Sequence, residues 1–135
     1  FDELIIHKVD LTGVILKPNM ILAGNDSNNK ISKHEVSAKT LECLKNSVPK
    51  EVPGIAFLSG GQSDIEATEN LNMINKNNNT NFIMTYSYGR ALQQAALRTW
   101  SDTKNIKETQ NTFNHRAKMC SLAAEGKWLR NLENN

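Results

Sequence analysis

The sequence predicts an α/β protein assembled from parallel βα units, and three observations carry that prediction. Short apolar runs stop abruptly at Lys17-Pro18-Asn19, at Ser59-Gly60-Gly61 and at Ser87-Tyr88-Gly89-Arg90. The segments between them repeat apolar residues at three- and four-residue steps and are long enough for crossover helices. Each run also delivers a reactive or anion-binding group as it ends. In parallel α/β architectures, function collects at the C-terminal ends of the strands.

Taken in order, Phe1–Lys8 reads as the tail of a helix, with residues 1–10 assigned to it. Gly13 precedes a strand, Val14–Leu16, which Pro18 ends because it has no N–H to donate. Ala23–Lys30 is polar, carries Gly24 and is expected to be a loop. Ser32-Lys33-His34-Glu35 is a capping box, with serine at the N-cap and glutamate three residues on. The helix it starts places Val36, Thr40, Leu41, Leu44 and Val48 on one face, and Pro49 and Pro53 end it. Gly54 leads into Ile55–Leu58, a continuous apolar run expected of a strand buried on both faces.

The second unit repeats this grammar. Ser63-Asp64-Ile65-Glu66 is another capping box, followed by Ile65, Thr68, Leu71 and Ile74 at three-residue steps. Asn77–Asn79 makes a polar turn before the third strand, Phe82–Ser87. Gly89 opens a helix whose buried stripe is Ala91, Leu92, Ala95, Ala96 and Trp100. A last helix spans Ile106–Glu125, with Ile106, Phe113, Ala117, Cys120 and Ala124 inward and Gly126 as its stop. Met73, Met84 and Met119 fall on core stripes, and Trp100 and Trp128 read as packing residues. Residues 129–135 are polar and expected to fray.

Composition narrows the function classes. At 135 residues the chain is one domain at most. Hydrophobic content of 39% and charged content of 22% are ordinary for a soluble globular protein. A net charge of +2 with scattered lysines gives no reason to expect nucleic acid. No apolar run approaches the ~18 residues of a membrane span, so no membrane partner is expected. The chain opens without an initiator Met, and Phe1–Lys8 has no secretion-signal pattern. Cys43 and Cys120 lack framework spacing and read as free thiols in a reducing compartment, the cytoplasm by default. His7, His34 and His115 lack metal-ligand spacing, and no nucleotide-binding glycine pattern occurs, so no metal and no cofactor is expected.

The strand exits at Lys17, Ser59 and Ser87 are spaced for βα units of ~30 residues or a little more. Three parallel strands make a poor domain alone, because their faces and edges need partners. A (β/α)8 barrel takes ~250 residues. Residues 1–135 are therefore expected to be about three βα units, the C-terminal portion of a single (β/α)8 barrel domain whose earlier strands are not in this chain.

Three groups could carry chemistry. A lysine nucleophile must be neutral to attack a carbonyl, so Lys17 needs apolar walls or cationic neighbours. Position alone favours the plainer reading, a lysine that closes a strand and extends into water. In Ser59-Gly60-Gly61-Gln62-Ser63, the glycines allow close backbone approach and the following helix aims free N–H groups at an anion. An ordinary glycine turn stays open on those residues alone. Gly89-Arg90 tips the balance, because arginine in a first helical turn opposes the macrodipole. A bound phosphate would accept from the N–H groups and the guanidinium together. Barrels frequently bind phosphate with the loops after strands seven and eight, so an anion site is the favoured reading.

Leu16-Lys17-Pro18-Asn19-Met20, Phe57-Leu58-Ser59-Gly60-Gly61-Gln62-Ser63 and Ser87-Tyr88-Gly89-Arg90-Ala91-Leu92-Gln93 resemble the three C-terminal signatures of the class I fructose-bisphosphate aldolase family. The similarity runs from about Leu11 to Trp128 and includes Leu71-Asn72-Met73-Ile74-Asn75 and Arg116-Ala117-Lys118-Met119. The resemblance implies a TIM barrel, usually tetrameric, acting in glycolysis and gluconeogenesis without a metal. It implies reversible cleavage of fructose 1,6-bisphosphate to dihydroxyacetone phosphate and glyceraldehyde 3-phosphate. It further implies that Lys17 forms the Schiff base and that Ser59, Gly60, Gly61, Ser87, Gly89 and Arg90 hold a substrate phosphate.

Departures from the family pattern matter too. The family's catalytic aspartate, supporting lysines and general-acid glutamate precede the Schiff-base strand and lie outside this chain. Asn81 stands where a proline commonly precedes the last strand, and Ser101-Asp102 where a glycine pair is usual. The long tail ending in tyrosine is absent after Trp128, so the chain either resembles short-tailed, bacterial-type members or lacks its tail. The isolated fragment is expected to be inactive. The alternative reading is a non-catalytic phosphate-ligand or protein-binding remnant of such a barrel.

Overall fold

A computed structural model describes residues 1–24, 26–29 and 31–134 of the chain. In order, the elements are a short helix α1 (Asp2–Ile6), a 3-10 turn (Leu11–Gly13), strand β1 (Ile15–Leu16), helix α2 (Lys33–Ser47), strand β2 (Gly54–Phe57) and helix α3 (Asp64–Lys76). Strand β3 (Ile83–Tyr86), helices α4 (Arg90–Thr103) and α5 (Ile106–Ala124) and a closing 3-10 turn (Arg130–Asn134) complete it. The strands form one sheet in the order β1-β2-β3, and both ladders are parallel. This is the α/β architecture of a partial barrel, as the spacing of strand exits predicts.

Local chemistry sets the boundaries. Both capping boxes form, at Ser32 with Glu35 and at Ser63 with Glu66, so α2 and α3 start where the sequence places them. β1 and β3 are shorter than expected, for identifiable reasons. The Val14 N–H bonds Leu11 O at 3.1 Å, which closes the 3-10 turn and withdraws Val14 from β1. Phe82 belongs to the preceding turn, its carbonyl accepting from Asn78 Nδ2 at 3.0 Å and its N–H donating to Thr80 Oγ1 at 3.2 Å. β2 starts one residue early, at Gly54. A Cβ there would lie 2.9 Å from Ile15 Cδ1, so glycine permits the close rung between β1 and β2. The expected loop at Ala23–Lys30 carries no helix or strand where described, and residues 25 and 30 lie outside the described residues.

One face of the sheet is covered and the other is open. Ile55 and Phe57 are fully buried and Met84 nearly so, with Leu16 and Tyr86 packed against the same core. Val36, Thr40, Leu41, Leu44 and Val48 from α2 and its end, and Thr68, Leu71 and Ile74 from α3, are buried as their periodicity predicts. On the opposite face, Ile15 and Ile83 flank Gly54 on one rung and are 61% and 75% exposed. Parallel strands ordinarily have both faces covered.

The last two helices differ most from expectation. Trp100 is 41% and Ile106 64% exposed, and Phe113 is also exposed. α5 packs on α4, on α3 and on β3. The buried residues of α5 are Arg116, Met119, Cys120 and Ala123, so the predicted stripe holds at Cys120, while Ala117 and Ala124 are half-buried. Trp100 instead lies under a lysine, with Lys104 Nζ 5.7 Å from its ring centroid. Met73 is half-buried, whereas Met84, Met119 and Trp128 are core residues as expected. Gly126 adopts φ +68°, the left-handed conformation that stops α5. In the tail, Arg130–Asn134 forms a 3-10 turn whose Glu133 bonds Arg116 and Trp128.

Candidate functional site

The C-terminal ends of the three strands lie side by side. Beyond the assigned ladders, Leu58 N–H donates to Pro18 O at 3.0 Å and Ser87 N–H to Phe57 O at 2.8 Å. Lys17, Ser59 and Ser87 therefore leave neighbouring strands at one edge of the sheet. Continuing the register puts Lys17 level with Ala56 and Thr85 on the open face. Lys17 is exposed, and so are Ser87, Gly89 and Arg90.

The glycine pair after β2 forms a tight turn. Gln62 N–H bonds Ser59 O at 3.2 Å, and Gly61, third of the four residues, has φ +77°. That position takes positive φ in a type II turn, which is why glycine stands there. Gly60 O accepts from Asn19 Nδ2 at 3.4 Å, and Asn19 Oδ1 accepts from Met20 N–H at 2.9 Å. Asn19 thus ties the segment after Lys17 to the turn after Ser59. The turn feeds α3, where Ser63 Oγ accepts from Glu66 N–H at 3.2 Å and Glu66 Oε2 from Ser63 N–H at 2.9 Å. The Ser63 N–H, and after it the Ser63 hydroxyl, hold the Glu66 carboxyl below its ordinary value.

The third exit is clamped to α3. Tyr88 is buried and its hydroxyl donates to Ala67 O at 2.8 Å, while its ring lies 5.4 Å from that of Tyr86. Burial pushes the Tyr88 phenol well above its ordinary value. Gly89 then caps α4 with φ −90° and ψ −86°, and among the described residues no side chain caps this helix. The first N–H groups of α4 are left for an acceptor from outside the helix.

Gly61 and Arg90 line one cleft of about 580 Å³ with Ser63, Asp64 and Arg98. Gly60 and Gly61 also border a larger cleft of about 860 Å³ against Asn19–Gly24. Lys17, Ser59, Ser87 and Gly89 line neither cleft, and Lys17 stands apart on the open sheet face. Asn19 and Tyr88 were the positioning residues that sequence reasoning passed over. Both sit inside the motifs, but only their long-range bonds reveal a role.

The remaining candidates are dispersed. His7 caps α1, His34 is exposed on α2, and His115 lies half-buried 3.6 Å from Glu133. Among the described residues, no three or more His, Cys, Asp or Glu side chains are grouped to hold a metal ion. Cys43 is exposed and Cys120 buried, both as free thiols, and burial pushes the Cys120 thiol up. No described helix is long and apolar enough to cross a membrane.

Comparison with known proteins places these features in context. A family model described as fructose-bisphosphate aldolase class-I matches residues 1–135. A probable fructose-bisphosphate aldolase class 1 of Xylella fastidiosa is 45% identical over 130 residues, covering 95% of this chain and 39% of the relative. Fructose-bisphosphate aldolase 2, chloroplastic, of Pisum sativum is 45% identical over 124 residues, covering 91% and 35% respectively. A solved structure of fructose-bisphosphate aldolase from Plasmodium falciparum, in complex with TRAP and a small-molecule inhibitor, is similar at a TM-score of 0.85 and 42% identity. That match covers 90% of this chain and 35% of the other. The chain thus spans about two fifths or less of the length of these relatives.

Proposed function

The chain belongs to the class I fructose-bisphosphate aldolase family, and we propose that it supplies the imine-forming lysine and one phosphate site of such a lyase. Lys17 is the nucleophile. Its neutral amine adds to the ketose carbonyl carbon, and loss of water leaves an imine that is protonated at nitrogen. The C3–C4 bond then breaks. Its electron pair passes into the iminium to give an enamine, and the aldehyde product leaves as the C4 hydroxyl proton passes to a base. Protonation of the enamine and hydrolysis return Lys17 and release dihydroxyacetone phosphate. Carboxylates from elsewhere in the barrel supply the acid and base.

The phosphate is held by Ser59, Gly60 and Gly61 with Ser87, Gly89 and Arg90. The observation supporting this reading is the alignment of three strand exits, stitched by Leu58 N–H to Pro18 O and Ser87 N–H to Phe57 O. It brings a lysine, a positive-φ glycine turn and an uncapped arginine-bearing helix start to one edge. A cytoplasmic homotetramer completes the proposal. The pea relatives are named chloroplastic, so the family spans more than one compartment.

Borohydride trapping tests the lysine. Reduction of the full-length protein with dihydroxyacetone phosphate present should mark a peptide containing Lys17. Lys17→Met and Lys17→Arg should both abolish trapping and turnover, since arginine stays protonated and forms no imine. A label on another lysine, or full activity in Lys17→Met, would overturn the assignment.

A further inference from the structure

An anion site in the cleft beside Arg90 has an awkward neighbour. Asp64 lines the same cleft, and its carboxylate opposes a phosphate there. Behind it lies Arg116 of α5, nearly fully buried and not used by the chemistry above. Its Nη2 donates to Thr68 Oγ1 at 2.7 Å and to Asp64 O at 3.2 Å, and its Nε stands 4.0 Å from Asp64 Oδ2. Thr68 Oγ1 in turn donates to Asp64 O at 2.7 Å. The guanidinium is held from the far side by Glu133, to which Nη1 donates. Trp128 Nε1 donates to the other oxygen of Glu133 at 2.8 Å, and His115 Nε2 lies 3.6 Å from the oxygen that Arg116 bonds.

We infer that Arg116 is a positioning residue for the phosphate site, setting the first turn of α3 and offsetting the Asp64 carboxylate. The inference rests on the phosphate-site reading given above. Asp64 lies three residues past Gly61, so a tilt of this first turn moves Ser63, Gln62 and the glycine turn together. A buried guanidinium bonded to a first-turn carbonyl and its neighbouring threonine resists that tilt. Its charge draws the Asp64 carboxylate toward α5 and leaves the cleft more favourable to an anion. The closing 3-10 turn is thereby coupled to the site, because Glu133 fixes the guanidinium.

The test uses the full-length protein and three variants. Thr68→Val is nearly isosteric and removes the hydroxyl that links Arg116 to Asp64. Arg116→Lys keeps the charge and loses the fork. Each should raise the half-saturating concentration of fructose 1,6-bisphosphate roughly threefold to tenfold, the loss of one or two hydrogen bonds. Turnover at saturation should stay within about twofold, and borohydride trapping with unphosphorylated dihydroxyacetone should be unchanged. Equal losses for phosphorylated and unphosphorylated ligands, or wild-type values for both, would overturn the inference. Should Arg116→Lys fail to fold, Thr68→Val decides alone. Arg90→Ala separates the two readings: if it weakens the bisphosphate while Thr68→Val does not, only the positioning role falls. If Arg90→Ala leaves the bisphosphate untouched, the phosphate site itself falls, and the inference with it.

Discussion

Arg90 occupies the first position of α4, where the helix macrodipole opposes a cation. A charge-assisted bond to phosphate contributes roughly 1.5–3 kcal/mol. Arg90→Ala is expected to weaken phosphorylated ligands by about 10- to 150-fold, with unphosphorylated analogues affected far less, measurable by titration of the full-length protein. Equal losses for both would make Arg90 structural. Arg90 and Gly61 could be read from the sequence because each breaks a local rule, a cation at a helix start and paired glycines before a capping serine. Arg116 could not. Helical periodicity assigns arginine to the solvent face, and only the tertiary fold brings Thr68, Asp64 and Glu133 around it.

Helix starts were legible because a capping box is a local bond pattern between residues three apart. Strand ends were not, since Val14 and Phe82 left the ladder through bonds to turns that apolar patterning ignores. The stripe of α5 failed for another reason. Ile106 and Phe113 fit the period, but the packing of α5 on α4 leaves both exposed. The capping box of α3 yields a pH-dependent prediction. Ser63→Ala is expected to cost about 1 kcal/mol in urea unfolding of the full-length protein. Glu66→Gln should cost less. The folded Glu66 carboxyl titrates below its ordinary value, so its contribution is present above the unfolded pKa and is lost as pH falls through the folded one. The Glu66→Gln penalty should therefore hold from pH 7 down to about pH 5 and shrink as the pH falls further through the acid range, and a penalty that grows in acid would contradict the assignment.

At the scale of the molecule, three strands present one covered face and one open one. Ile15 and Ile83 stand in water on that open face, and β1 and β3 are both unpaired edges among the described residues. Exposed apolar edges of this kind favour association over a stable monomer. The chain expressed alone is expected to aggregate or stay molten and to cleave no fructose 1,6-bisphosphate. Co-expression with the remaining portion of the barrel should restore both folding and cleavage. Dispersed amide resonances with a cooperative thermal transition in the isolated chain would contradict the first expectation, and turnover by that sample the second. The parallel α/β class was legible in the spacing of strand exits, whereas the open face and edges of the sheet follow from tertiary packing that local patterning does not record.

The parallel register has a metric consequence. Neighbouring strands in a sheet are about 4.8 Å apart, so the exit of β1 lies one strand spacing from the glycine turn after β2 and about 10 Å from the helix start after β3. On the proposed reading, the ligand's carbonyl and its phosphate are gauged against that pitch. The sheet acts as a ruler. On that reading, a sugar phosphate with one carbon more between those two groups is expected to bind less tightly, measurable by titration of the full-length protein.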